Sequence, residues 1–222
     1  MTDRPASLND TSNGGARAGI RAHIEKLIGP VNRVFRETDP LLDVDVLCVP
    51  AAIDRPVHML FTAGMSDTAM TPSGRKNAAR YIELMVTLPE KWKLDDIAPS
   101  DEGYWPVRTL AQLAREPLRS GQALGWGDTV ANGEPPRAYA KGTDLCGVII
   151  APSLLVPKDF YQLDAAGRHI EFYAAIPLYR EELQLRAAEG MEVVLTKLLE
   201  HRVSDLVDLR RRNVAKKRFG FF

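Results

Sequence analysis

The pattern of apolar and polar positions is clearest between residues 57 and 94. Val57, Met59 and Phe61 alternate with His58, Leu60 and Thr62, and Ile82, Leu84, Val86 and Leu88 alternate with Tyr81, Glu83, Met85 and Thr87. Period-two alternation places one set on a buried sheet face and the other on a more polar face. Leu84 and Val86 are therefore expected in the core, and Glu83 in solvent. Between the two runs lie Gly64, Pro72 and Gly74, with Ser66, Asp67, Ser73 and Asn77 available for local backbone hydrogen bonds. A turn-rich segment held between core strands is a natural place for function.

The same reading extends along the chain. Residues 1–15 are polar and rich in turn formers, which predicts a flexible tail. Ile20, Ile24, Leu27 and Ile28 predict a helix over 16–28, stopped by Gly29 and Pro30. Short strands are expected over 31–35 and 43–49, the second with Val44, Val46 and Cys48 on one face and Asp43 and Asp45 opposite. Pro106 starts a helix carrying Val107, Leu110, Leu113 and Ala114 until Pro117. The segment 121–136 reads as loop around a short extended piece, and 145–151 as a central strand apolar on both faces. Ile170, Phe172, Ala174 and Ile176 mark one more strand, ended by Pro177, before helices over 179–189 and 191–201 split by Gly190. With no repeat and no linker between two cores, one α+β domain is expected over 16–214, followed by a basic and aromatic tail over 215–222.

Composition narrows the class. A chain of 222 residues can bury roughly 70% of its unfolded surface as a single domain. Lys plus Arg equals Asp plus Glu at 29 each, which argues against a whole-domain nucleic-acid binder. Cys48 and Cys146 lie far apart in strand-like runs; they could meet in the fold, but buried free thiols in a reducing cytoplasm are the expectation. No basic-then-apolar leader opens the chain, and no apolar run approaches the ~18 residues of a membrane span.

Candidate chemistry is sparse. Ser73-Gly74-Arg75-Lys76 matches a Ser-x-x-Lys pattern but lacks the companion motifs of that catalysis. His23, His58, His169 and His201 are scattered, without the close pairs of a zinc site. Gly125-Trp126-Gly127 lacks the spacing of a phosphate loop. Asp43 with Asp45, and Asp95 with Asp96, could hold a cation or act as acid and base, although a solvated face is the better reading. Arg210, Arg211, Arg212, Lys216, Lys217 and Arg218 form a basic run that reads as a solvated chain end, capable of unspecific phosphate contact. The aromatic ending Phe219-Gly220-Phe221-Phe222 would be costly to hydrate unless it docks on this chain or another copy.

Several words of the sequence are similar to one family. Thr62-Ala63-Gly64-Met65-Ser66-Asp67, Ile82-Glu83-Leu84, Leu88-Pro89-Glu90-Lys91-Trp92, Trp105-Pro106 with Leu110-Ala111-Gln112-Leu113-Ala114-Arg115, Gly125-Trp126-Gly127-Asp128-Thr129-Val130, Ile176-Pro177-Leu178-Tyr179 with Glu181-Glu182-Leu183 and Gly190, and Asp208-Leu209-Arg210-Arg211 resemble, in order, the suppressor of fused (SUFU-like) domain. The resemblance runs from about Val31 to Asn213. It implies an α+β fold, a mixed and largely antiparallel sheet flanked by helices. Animal members of that family restrain a Hedgehog-pathway transcription factor and carry a further C-terminal domain, so that role is not carried over. Single-domain bacterial relatives have been proposed as immunity proteins that neutralise toxins by binding them.

The resulting expectation is a non-enzymatic, cytoplasmic protein-binding module of bacterial type, with no catalytic residue, metal or cofactor. Its partner would be another protein, possibly a cognate toxin, neutralised by occlusion. The candidate surface is Gly64, Met65, Ser66 and Asp67 with Trp126, Gly127 and Asp128, because both segments join polar groups to a Met or Trp anchor. The rival expectation is a small metal-dependent hydrolase using Asp43, Asp45 or Asp67.

Overall fold

The computed structural model describes residues 8–71 and 78–216, with side chains from Gly14 onward. Strands β1 (Arg33–Glu37), β2 (Val44–Val49), β3 (Val57–Ala63) and β4 (Tyr81–Pro89) form an antiparallel meander. The sheet continues through β5 (Thr129–Ala131), β6 (Leu145–Ala151), β7 (Gln162–Ala165) and β8 (Arg168–Tyr179) in the order β1-β2-β3-β4-β8-β6-β5. Only β4 and β8 pair in parallel, Tyr81 opposite Ile170 through Met85 opposite Ala174. On its other edge β8 pairs first with β7 and then with β6. The result is an α+β domain built on one mixed, mostly antiparallel sheet.

Helices cover both faces of that sheet. Helix α2 (Trp105–Ser120) lies over Ile82, Leu84, Val86 and Leu88, together with Val46, Leu60, Val148 and Ile150. Helices α1 (Leu8–Leu27) and α4 (Met191–Glu200) pack on the opposite face, against Met59, Phe61, Met85, Phe160, Phe172 and Ile176. Helix α3 (Arg180–Glu189) leads directly out of β8. Gly147 lets α3 approach, since a Cβ there would stand 2.7 Å from Leu183 Cδ1 and 2.9 Å from the Val130 carbonyl.

The two-sided cover corrects the reading of β4. Leu84 and Val86 are buried as expected, but so are Glu83 and Thr87, both with no exposed surface. Alternating polar residues on a covered face look the same in sequence as those on a solvated one, so Glu83 belongs to the core and not to solvent. Other boundaries also move. Helix α1 begins at Leu8, so residues 8–15 are helical rather than tail. Helix α2 runs past Pro117 to Ser120, because a proline in the last turn forfeits little, and Gly121 closes the end at φ 70°. Strand β8 continues through Pro177, which lies beyond the last β4 pair, where the missing N–H breaks no ladder bond on that edge. Strand β7 had no counterpart in the sequence reading. Cys48 and Cys146 are buried free thiols on β2 and β6, with three strands between them, which excludes a disulfide.

Candidate functional site

The turn that follows β3 is organised from below by one side chain. Gly64, at φ 128°, redirects the backbone into a single 3-10 turn, Met65–Asp67. Glu83 Oε1 accepts hydrogen bonds from the Gly64 N–H at 3.1 Å, the Ser66 N–H at 3.0 Å and the Ser66 hydroxyl at 2.6 Å. Its Oε2 accepts from the Thr62 hydroxyl. Burial pushes the Glu83 carboxyl above the ordinary glutamate range, and the bonds from Ser66, Thr62 and Gly64 oppose that push.

A charged cluster closes the turn from the side. Arg17 of α1 donates to Asp67 at 2.8 Å, to Asp45 at 3.2 Å and to the Asp43 carbonyl at 2.6 Å. Arg168 of β8 donates to the Ser66 carbonyl at 3.0 Å and to Asp67 at 3.3 Å. Of the three aspartates of the rival hydrolase reading, Asp45 and Asp67 turn their carboxylates to the Arg17 guanidinium, while Asp43 offers it only a backbone carbonyl and its carboxylate accepts the Asp39 N–H at 3.1 Å. No group of three or more His, Cys, Asp or Glu residues able to hold a metal occurs among the described residues.

The expected surface residues fall into two settings. Gly64, Met65 and Ser66 are buried, and the Asp67 side chain is only 5% exposed. They position their loop rather than face solvent, except that Met65 borders a cleft of about 250 Å³ with Leu42, Met70, Ala114 and Leu118. Trp126 is 52% exposed. Its loop is braced: Gly125 N–H donates to the Asp128 carboxylate at 2.9 Å, and Asp128 N–H to the Gly125 carbonyl at 3.0 Å. Gly127 N–H donates to the Ile150 carbonyl at 2.8 Å, while Arg186 of α3 donates to the Gly127 carbonyl at 3.1 Å. Gly127 is buried against Met191 of α4, and Asp128 is half-buried. One segment is anchored on β4 and α1, the other on β6, α3 and α4.

A second buried carboxylate organises the C-terminal stretch. Glu182 is fully buried and forms an ion pair with Arg211, whose side chain is 7% exposed. Glu182 also accepts from the backbone N–H groups of Tyr179 and Val214, each at 2.9 Å. Arg211 further donates to the Pro177 carbonyl at 2.7 Å and lies 4.8 Å from the Tyr179 ring centroid. Arg211 is therefore a core contact, not part of a solvated charge run, and Lys216 pairs with Glu181 at 3.3 Å. The ending Phe219 to Phe222, with Lys217 and Arg218, lies outside the described residues, as do Ser73 and Lys76.

The remaining candidates have structural partners. His23 bonds the Phe160 carbonyl at 3.1 Å and stacks on that ring; His58 bridges Ala51 and Glu90; His169 meets Asp164; His201 bonds the Lys197 carbonyl. Burial pushes the Cys48 thiol up to about 11 and raises that of Cys146, opposing thiolate formation at both. No described helix is long and apolar enough to cross a membrane.

Sequence reasoning missed Glu83, Glu182 and Arg211 as organising groups. The available signal was a carboxylate inside an apolar strand, opposite a turn rich in Gly and Ser. The words behind the family resemblance also pair in space: Thr62 to Ser66 with Glu83, Glu182 with Arg211, and Trp92 with Trp105 at a ring separation of 5.9 Å.

These contacts accompany a family match. The family model described as suppressor of fused protein (SUFU) matches residues 41–212. The chain belongs to the suppressor of fused family. Its fold is similar to that of a protein proposed as a suppressor of fused homologue from Neisseria gonorrhoeae FA 1090, with a TM-score of 0.68, 16% identity, and coverage of 91% of this chain and 98% of that one. It is also similar to a chain from a Sufu–Fu complex, at TM-score 0.63 and 15% identity, covering 90% and 92%. Drosophila Suppressor of Fused matches at TM-score 0.62 and 15% identity, and there this chain spans 51% of the other protein. Among curated proteins, no sequence matches this chain.

Proposed function

We propose that this chain is a non-enzymatic protein-binding module that inhibits a partner by covering its working surface, as an immunity protein does to a toxin in the bacterial cytoplasm. The observation that carries this reading is Trp126. A large indole, half exposed, stands on a loop fixed by Asp128, Ile150 and Arg186. A rigid aromatic that need not be ordered on binding is the usual form of an interface anchor. The family supports the reading, since one matched structure is a Sufu–Fu complex. The expected interface buries about 1,200–2,000 Å² in total. Gly64, Met65, Ser66 and Asp67 enter it as the scaffold of a neighbouring loop, reaching a partner through Thr68 and the cleft beside Met65.

The test uses the full chain as bait in its native cell, with Trp126→Ala in parallel. A specific partner should be retained by the wild-type chain and bound at least about thirtyfold more weakly by the variant, the weakening that corresponds to a hot-spot loss of ~2 kcal/mol. Co-expression should then protect cells from the partner if that partner is a toxin. A folded Trp126→Ala chain that binds equally well would remove this surface from the reading. Turnover of a small molecule, with no protein retained at low salt, would remove the reading itself.

A further inference from the structure

We propose that Glu83 and Thr62 form a buried proton-binding site whose occupancy sets how firmly the 64–67 turn is held. The hydrogen bonds around Glu83 can be completed in either protonation state. With Glu83 ionised, Oε1 accepts from the Gly64 N–H, the Ser66 N–H and the Ser66 hydroxyl, and Oε2 accepts from the Thr62 hydroxyl. With a proton on Oε2, the shared bond reverses and Glu83 donates to Thr62 Oγ1. The Thr62 hydrogen then turns to the Leu84 carbonyl, 3.4 Å away. Thr62 Oγ1 already accepts the Leu84 N–H at 2.8 Å, so in that state both its lone pairs and its hydrogen are used. One proton is taken up from solvent onto Oε2 while the Thr62 hydroxyl hydrogen rotates to the Leu84 carbonyl, and no heavy atom needs to shift.

Burial favours the neutral form, and the surrounding charges are paired among themselves. Asp67 of the turn, Asp45 of β2, Arg17 of α1 and Arg168 of β8 are tied to one another, two cations against two carboxylates. His23 of α1 is held by the Phe160 carbonyl and stacked against Phe172, the residue opposite Glu83 on β8. Among the described residues no cation pairs with Glu83, which has no exposed surface. A carboxylate removed from water without a counter-ion is disfavoured even when hydrogen-bonded. Burial accordingly raises the affinity of Glu83 for a proton, against the opposing pull of its four hydrogen bonds.

Opening of the turn would return Glu83 to water and to ordinary proton affinity. The closed turn binds the proton more tightly, so proton loss and opening are linked. The closed state is favoured below the ordinary glutamate value of about 4.3. It gives way as pH rises from there to the folded value. Because a single proton is involved, the opening constant grows by at most about tenfold per pH unit in that window. This linkage is independent of whether Trp126 anchors a partner.

Two measurements on the full chain test it. The side-chain carboxyl ¹³C signal of Glu83, followed by NMR against pH, should titrate above the ordinary glutamate value; a midpoint at or below that value overturns the proposal, and this needs no variant. Amide hydrogen-exchange protection of Gly64 and Ser66, corrected for intrinsic chemistry, should fall across the same window in the wild type. In Glu83→Gln, whose amide can accept from the turn and donate to Thr62, protection should be independent of pH. Equal pH dependence in the two proteins, or none in the wild type, also overturns it.

Discussion

In the β1–β4 meander a buried carboxylate, Glu83, is held by hydroxyl and backbone N–H donors from β3 and the turn beyond it. At the other end of the sheet Glu182, equally buried, is held by the Arg211 guanidinium from the C-terminal stretch. The first arrangement joins neighbouring strands, and among the described residues no cation pairs with its carboxyl group. The second staples the chain end onto β8 and α3 through an ion pair that also satisfies the Pro177 carbonyl and the Val214 N–H. Neutral donors leave Glu83 free to take up a proton in place. The arginine ties Glu182 to the C-terminal stretch through an ion pair.

Breaking the staple should have the largest effect. Arg211→Ala leaves Glu182 buried without its partner, and a loss of about 3–5 kcal/mol is expected by urea denaturation. Replacing both residues by apolar ones of similar volume should recover most of it. Leu84→Ala, which touches neither carboxylate but empties the α2 side of β4, should cost about 2–5 kcal/mol.

Glu83→Ala should cost less, about 1–3 kcal/mol, because it strands hydrogen-bond donors rather than a charge. A loss as large as that of Arg211→Ala would erase the distinction between the two sites. Its pH dependence sharpens the contrast. A raised folded value means the folded state holds the proton more tightly than the unfolded chain. Wild-type stability relative to Glu83→Gln should therefore be greatest below the ordinary glutamate value and decline as pH rises through the folded one. Trp126→Ala should be smallest, within about 0.5 kcal/mol, since its indole is half in solvent. A larger loss would make Trp126 a packing residue instead of an anchor.

The strands most legible in the sequence were those whose pattern the fold leaves intact. Leu145–Ala151 is apolar on both faces and sits inside the sheet; Ile170, Phe172 and Ala174 line one face of β8. What misled was polarity that the fold buries. Glu83, Thr87, Glu182 and Arg211 are each satisfied by a partner distant in sequence, and spacing carries no sign of such a partner. Strand β7 has only four residues, with its apolar Leu163 and Ala165 only partly buried, so no run announces it. Of the candidate surface, the exposure of Trp126 between two glycines was within reach of the sequence. The burial of Gly64, Met65 and Ser66 was not, because it follows from Glu83 and Arg17 closing on the turn.

Strand β8 supplies the partner of β4 on one edge and of β7 and β6 on the other. During synthesis the meander is complete once Pro89 has emerged, but the strand that pairs its inner edge does not begin until Arg168. At ordinary translation speeds that interval is on the order of ten seconds. Throughout it, the β4 edge presents unpaired N–H and C=O groups beside Ile82, Leu84 and Met85, the kind of template on which another chain can add a strand. A chain whose meander folds before β8 arrives would carry that open edge, and shielding β4 would then fall to the ribosome surface, a chaperone, or the speed of elongation itself.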